Sequence, residues 1–211
     1  MVMTTVMKKR GRPPKHPDQQ RDTRETLIRA GVEILTEQGF TASGLDAILK
    51  RAGIPKGSFY YYFSSKESFG KDVLSSYSEF FVHKLKKHLL NESLKPLDRI
   101  MAFSEDAKNG MAKYNFKRGC LVGNLSQEIT TLPESYRLIL IHIFEKWQYE
   151  VATCLELAIQ QKQLSPEHNC DELAEFFWIG WEGAVLRAGI EQDSYPLDQF
   201  IKYFMAGLTK T

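Results

Sequence analysis

Cysteine is scarce in this chain of 211 residues: Cys120, Cys154 and Cys170 are the whole supply, and no two are spaced as CxxC. An odd count without paired spacing argues against a disulfide scaffold and supplies no metal-ligand pattern. With no secretory apolar segment to set against it, the expectation is a reducing, cytoplasmic setting. Long apolar runs are missing too. "FFWIGWEGAVL" is broken by Glu182, and nothing reaches the roughly 18 residues a bilayer span needs, so no membrane partner is expected. Alternating strand patterns and internal repeats are absent. So are HExxH, GxSxG, Walker and dinucleotide-binding glycine motifs. The five histidines are scattered, with His142 in an apolar run that suits a core histidine, and Glu128, Glu145 and Glu182 read as solvated or hydrogen-bonded groups. An enzyme, a metal and a cofactor are therefore not expected.

Net charge is also small, +2, but it is unevenly placed. Residues 1–66 carry 12 Lys+Arg against 6 Asp+Glu, a net of +6, which leaves −4 for residues 67–211. A basic front on a slightly acidic body fits a chain of which one part meets a polyanion. The stretch "KKRGRPPKHP" at residues 8–17 concentrates that charge among three prolines. Residues 1–20 accordingly read as a disordered basic arm, residues 21–66 as one unit and 67–211 as another.

From residue 22 onward the apolar spacing is helical, and the fold class is all-α with about nine helices. The first runs over "DTRETLIRAGVEILTEQGF", capped by Asp22 or Thr23 and stopped at Gly39. A second, short helix lies in "TASGLDAILKRAGI" and a third in "KGSFYYYF", after Pro55. Ser64 or Ser65 caps a fourth from about Lys66 to Leu90. Further segments fall near 95–114, 118–131, 134–163, 171–191 and 196–209.

Two short helices around a glycine-containing turn form a helix-turn-helix, whose second helix suits the DNA major groove. Phe59 and Phe63, four apart, would anchor the third helix inward. Lys56, Ser58, Tyr60 and Tyr61 then fall on other faces. Three consecutive tyrosines span about 200° of a helix, so Tyr60, Tyr61 and Tyr62 cannot all be buried on one side. Gly57 lets the backbone approach DNA, and the helix start offers free N–H groups to phosphate. Thr41, Ser43 and Lys66 are placed for backbone phosphates.

"IPKGSFYYYFSSKESF", with the "GF(T)…L..I...AG" pattern before it, closely resembles the DNA-binding domain of the TetR family of bacterial repressors. The resemblance implies an N-terminal three-helix DNA-binding domain, a C-terminal helical ligand-binding and dimerisation domain, a double-stranded DNA operator bound by a homodimer, and release on binding a small-molecule effector. It carries DNA contacts onto Thr41, Ser43, Lys56, Gly57, Ser58, Tyr60, Tyr61, Tyr62 and Lys66. "RGRPPK" in the arm resembles an AT-hook, with Arg10 and Arg12 laid along a narrow minor groove; the same residues also suit a tail that raises nonspecific affinity.

In the body, "FKRGCLVGNLSQEI" places two glycines in helical context at roughly 1 kcal/mol each, a sign of something that must fit. Cys120 and Asn124 can face a cavity, with Tyr77, Phe103, Trp147, Trp178 and Trp181 as walls or as ordinary core. "RGCLVGNLSQE" and "FWIGWEGAVLRA" resemble a TetR subgroup that responds to acrylate or to electrophiles. Such an effector implies either a cation or donor for a carboxylate (Arg118, Arg187, Asn124 or a tryptophan N–H) or Cys120 as a thiolate activated by Lys117 or Arg118. A thiol-based redox sensor through Cys120 and a nonspecific architectural DNA-binding protein are the alternatives. Gly180, Ala184 and Ala188 form a small-residue strip suited to a dimer seam or to packing within the chain, and the last helix is amphipathic through Phe200, Tyr203, Phe204 and Leu208.

Overall fold

The computed structural model describes residues 17–208, so the arm residues Arg10 and Arg12 lie outside the described part. Nine helices occur among the described residues, with no strand: α1 (Pro17–Gln38), α2 (Leu45–Ala52), α3 (Lys56–Tyr62), α4 (Lys66–Leu89), α5 (Pro96–Ala112), α6 (Leu121–Gln127), α7 (Glu134–Gln160), α8 (Cys170–Glu191) and α9 (Tyr195–Leu208). Two boundaries differ from the sequence reading. Helix α1 starts at Pro17, five residues before the expected Asp22 cap, so residues 17–20 belong to a helix and not to an unfolded arm; a proline opens a helix without losing a bond. Segment 118–131 shrinks to the seven residues of α6, because Cys120 and not an upstream residue is its N-cap.

Local chemistry accounts for most ends. Ser65 caps α4 by accepting from the Ser68 N–H at 3.0 Å. Asn169 caps α8 through the Asp171 and Glu172 N–H groups. Between α2 and α3, Gly53 takes φ 66 and its N–H turns back to α2, a left-handed closure that glycine adopts without strain. Phe59 and Phe63 are buried and pack on Phe69 of α4 with ring centroids 5.4 and 4.9 Å apart. That places α3 against the rest, as its spacing predicts.

Helix α4 joins the two ends of the molecule. It packs on α1 near its own start and on α5 and α7 farther along, while α8 lies between α7 and α9. It packs tightly on α1 at Gly31, where an added Cβ would lie 2.5 Å from Phe69 Cζ and 2.7 Å from Val73 Cγ2. Gly31→Ala is therefore expected to cost about 1–3 kcal/mol by overpacking, lowering the Tm by roughly 3–10 °C; thermal melts of the two proteins check this. Trp147, Trp178, Trp181 and Phe103 are all buried in the core of the body, with Trp147 and Trp178 centroids 5.0 Å apart. His142 is not a core residue: it is exposed and pairs with Glu145 at 3.4 Å. No described helix is long and apolar enough to cross a membrane.

Candidate functional site

The face of α3 opposite its phenylalanine anchors is open. Tyr60 and Tyr61 are 62% and 67% exposed, and their rings stand edge-on to Phe59 and Tyr62 respectively, which steadies them at the surface. Gly57 has nothing near the position a Cβ would take. Lys56 is exposed and pairs with Asp46 of α2 at 2.9 Å, which holds its pKa above the usual value; the side-chain bond to Asp46 is the main cause. Ser58 and Tyr62 are half-buried beside them, and Thr41 is exposed at the loop before α2.

Two expected phosphate contacts are corrected. Ser43 is buried and its hydroxyl donates to the Phe40 carbonyl at 3.0 Å, so it is turned into the loop and not toward solvent. Lys66 donates inward to the same carbonyl at 2.6 Å and lies 4.4 Å from the Phe40 ring centroid. Burial lowers its pKa, and the ammonium braces the loop from within.

That loop is also gripped from the body. Glu128, the C-cap of α6, accepts from the Phe40 N–H at 2.8 Å and from the Thr41 N–H at 2.6 Å. Gly39, at φ 77, leaves room for the carboxylate, since any Cβ there would overlap Glu128 Oε1. Helix α6 meets α1 again through Asn124, whose amide donates to the Thr36 carbonyl at 2.9 Å. Arg118 bonds Glu37 at 2.7 Å and Glu33 at 3.4 Å, and Arg51 of α2 shares both glutamates. The short α6 and the residues before it thus bind α1 and the loop that leads into α2 by a carboxylate, an amide and a guanidinium.

A cleft of about 510 Å³ opens where α1, α6 and α8 meet, lined by Thr36, Phe116, Lys117, Cys120, Asn124 and Glu182 among others. The chain enters it through Asn115 and Phe116, both at positive φ (51 and 57), a costly turn for residues with side chains. Cys120 is buried, and its thiol accepts from the Gly123 N–H at 3.5 Å. Burial first, and then the neighbouring Glu182, push its pKa well up. Of the two cations expected to activate the thiol, Arg118 is engaged by Glu33 and Glu37, while Lys117 lines the same cleft; the thiol itself faces the Glu182 carboxyl. Tyr77 reaches the same place from α4, its hydroxyl within hydrogen-bonding reach of Cys120.

Arg187 does not belong to the cleft; it is exposed and bound to Glu191 one turn on, at 2.7 Å. Trp147, Trp181 and Phe103 are core residues, and Trp178 lines a second cleft of about 390 Å³ between α7 and α8. Phe144 and Glu182 line both clefts. Neither was singled out for a site in the sequence. Glu182 sits in an otherwise apolar stretch, and that isolation is the one signal that marked it.

A family description matches each end of the chain: residues 27–71 fit "Bacterial regulatory proteins, tetR family" and residues 96–204 fit "Tetracyclin repressor-like, C-terminal domain". The chain belongs to the TetR family. It is 46% identical to the transcriptional regulator AcuR of Cereibacter sphaeroides over 93% of this chain and 89% of that one. The HTH-type transcriptional repressor NemR of Escherichia coli is 31% identical over 87% of this chain and 92% of its own. A crystal structure of regulatory protein TetR from Rhodobacter sphaeroides superimposes with a TM-score of 0.86 at 46% identity, covering 87% of this chain and 97% of that one. This TetR-type chain is thus a transcriptional regulator and not an enzyme.

Proposed function

We propose that the protein is a homodimeric repressor of a pseudo-palindromic DNA operator, released by a small organic acid or related electrophile that enters the α1–α6–α8 cleft. Tyr60, Tyr61, Gly57, Lys56 and Ser58 form its DNA-reading face, with Tyr62 and Thr41 at the edge. The single observation that carries the reading is the Glu128 grip: the helix that walls the cleft also holds the two backbone N–H groups leading into α2. A ligand that moves α6 moves the helix-turn-helix, and with it the distance between two recognition helices that must sit about 34–36 Å apart or somewhat more.

The pairing surface is the outer face of α8. Phe176, Ile179, Leu186 and Ile190 are exposed at spacings of three, seven and four residues, with Gly183 open between them, and Tyr203 of α9 is exposed as well. The Gly180–Ala184–Ala188 strip is not that seam. Ala184 and Ala188 are buried, and Gly180 is pressed onto the Phe200 ring of α9 within the same chain.

A gel shift against the gene's own upstream region, titrated with acrylate and with N-ethylmaleimide, tests the reading. The buried, carboxyl-facing thiol favours a reversible ligand, so Cys120→Ser is expected to bind the operator and still release it with acrylate. Release by N-ethylmaleimide alone, lost in Cys120→Ser, would place the protein among covalent sensors. Retention of DNA with no sequence preference would make it architectural.

A further inference from the structure

Residues 113–119 join α5 to α6 and line the cleft on the way, through Phe116, Lys117 and Gly119. Backbone bonds fix their first half. The Asn115 N–H donates to the Ala112 carbonyl and the Phe116 N–H to that of Met111, each at 2.9 Å. Asparagine at φ 51 is an ordinary close for a helix. Phenylalanine at φ 57 directly after it is not, because the left-handed region crowds its Cβ against the backbone. A residue stays there only where its surroundings hold it. The Phe116 ring is half-buried in the cleft wall and packed on the core, while its carbonyl lies over Gly189 of α8, 3.6 Å from where a Cβ would stand. Two residues on, Arg118 ties the segment to α1. Its Nε and Nη2 meet the same oxygen of Glu37 at 2.8 and 2.7 Å, and Nη2 also meets Glu33 at 3.4 Å. The guanidinium lies 4.2 Å from the Tyr114 ring centroid. The segment therefore reaches from α8 to α1, two walls of the cleft, and runs straight into the buried Cys120.

We propose that residues 113–119 are a latched strap over the cleft: Phe116 is its plug, Arg118 is its latch on Glu37 and Glu33, and the left-handed turn is a spring that lifts the strap once the latch lets go. The inference concerns access. It rests on the effector reading only for what is admitted, and its test reads the Cys120 thiol, which lifting the strap uncovers. The latch is built to open without harm to the rest. Both glutamates also hold Arg51 of α2, at 2.6 and 3.5 Å, so neither carboxylate loses its last partner when Arg118 departs. All four side chains are between 21% and 40% exposed, within reach of screening by salt.

The measurement is the rate at which Cys120 of the full chain reacts with 4,4′-dithiodipyridine, an uncharged disulfide, followed by mass spectrometry of the cysteine peptides. A buried thiol reacts from the open form, so its rate follows local opening. Cys154, 1% exposed and bonded to the Pro96 carbonyl at 3.3 Å, is the internal reference for general loosening. Arg118→Gln is expected to speed Cys120 about 10- to 100-fold, the factor that charge-assisted bonds of this kind are worth, with Cys154 changed less than about twofold. The sign is decisive. A cation that activated the thiol would lower its pKa, and removing it would slow the reaction. Raising NaCl from about 0.05 to about 0.5 M is expected to speed Cys120 roughly threefold in the wild type and to leave Arg118→Gln unchanged. Glu37→Gln, which keeps Glu33 as partner, is expected to fall between, and to add nothing to Arg118→Gln, because both remove one contact. Phe116→Ala keeps the turn and the latch but loses the plug, and is expected to speed Cys120 at least about tenfold. An unchanged or slower Cys120 in Arg118→Gln, a fully additive Glu37→Gln, an unchanged Phe116→Ala, or Cys154 speeding in step with Cys120 overturns the strap. Operator binding by the untreated wild type, measured alongside, belongs to the regulatory reading; its failure would overturn that reading and leave the strap standing.

Discussion

Replacing Tyr60 and Tyr61 together by alanine is expected to weaken operator binding by roughly 30- to 10,000-fold and to leave the Tm nearly unchanged. Both rings are more than three-fifths exposed, so folding gains little from them. Each can place its ring face on a thymine methyl and its hydroxyl on a phosphate. A base-edge contact of this kind is worth about 1–3 kcal/mol, and each 1.4 kcal/mol is tenfold. The loss is expected mainly on the specific site, so nonspecific DNA should be bound nearly as before; competition gel shifts at fixed salt separate the two. A double variant that binds the operator as tightly as the wild type would remove α3 from the DNA-reading face. Phe59→Ala is a poor substitute for this test, because Phe59 is fully buried and its loss unfolds the unit it anchors.

Glu128→Ala is expected to cost about 2–4 kcal/mol and to uncouple ligand from DNA. Two charge-assisted bonds, at 2.8 and 2.6 Å, are lost together, and bonds to charged groups contribute about 1.5–3 kcal/mol each before solvent compensates the exposed one. At roughly 2–4 °C per kcal/mol the Tm should fall by about 5–15 °C. The arginine links through Arg118 and Arg51 remain, so the chain should fold and bind operator, with acrylate releasing it poorly. Glu128→Gln keeps one acceptor oxygen and should fall between. A Glu128→Ala protein that melts with the wild type and responds in full would show that the cleft signals by another route.

Much of this was legible in the residues. The Phe59–Phe63 spacing fixes which side of α3 turns inward, and the exposure of Tyr60 and Tyr61 follows from helical geometry alone. Ser65 and Gly53 announce a cap and a turn by their chemistry, and Pro96 opens α5. What local pattern cannot show is pairing across the chain. Glu128 and Phe40 are 88 positions apart, and nothing in either neighbourhood says that one will hold the other. Lys66 carries a charge that suits DNA, yet a carbonyl 26 residues earlier claims it. The Gly180 strip reads equally well as a seam or as internal packing until Phe200 is seen against it. Glu182 looks solvated in sequence because glutamates are, and only the packing of α6 over it shuts the water out.

Gly183, Leu186 and Ile190 belong to two surfaces at once: they line the α1–α6–α8 cleft proposed for the effector and lie on the open face of α8. With a second copy on that face, as proposed, occupancy and assembly would draw on the same side chains. By linkage each must then bias the other to the same degree, and the inducer midpoint drifts with how much of the protein a cell makes. A regulator paired and induced in this way would read its own abundance along with its signal.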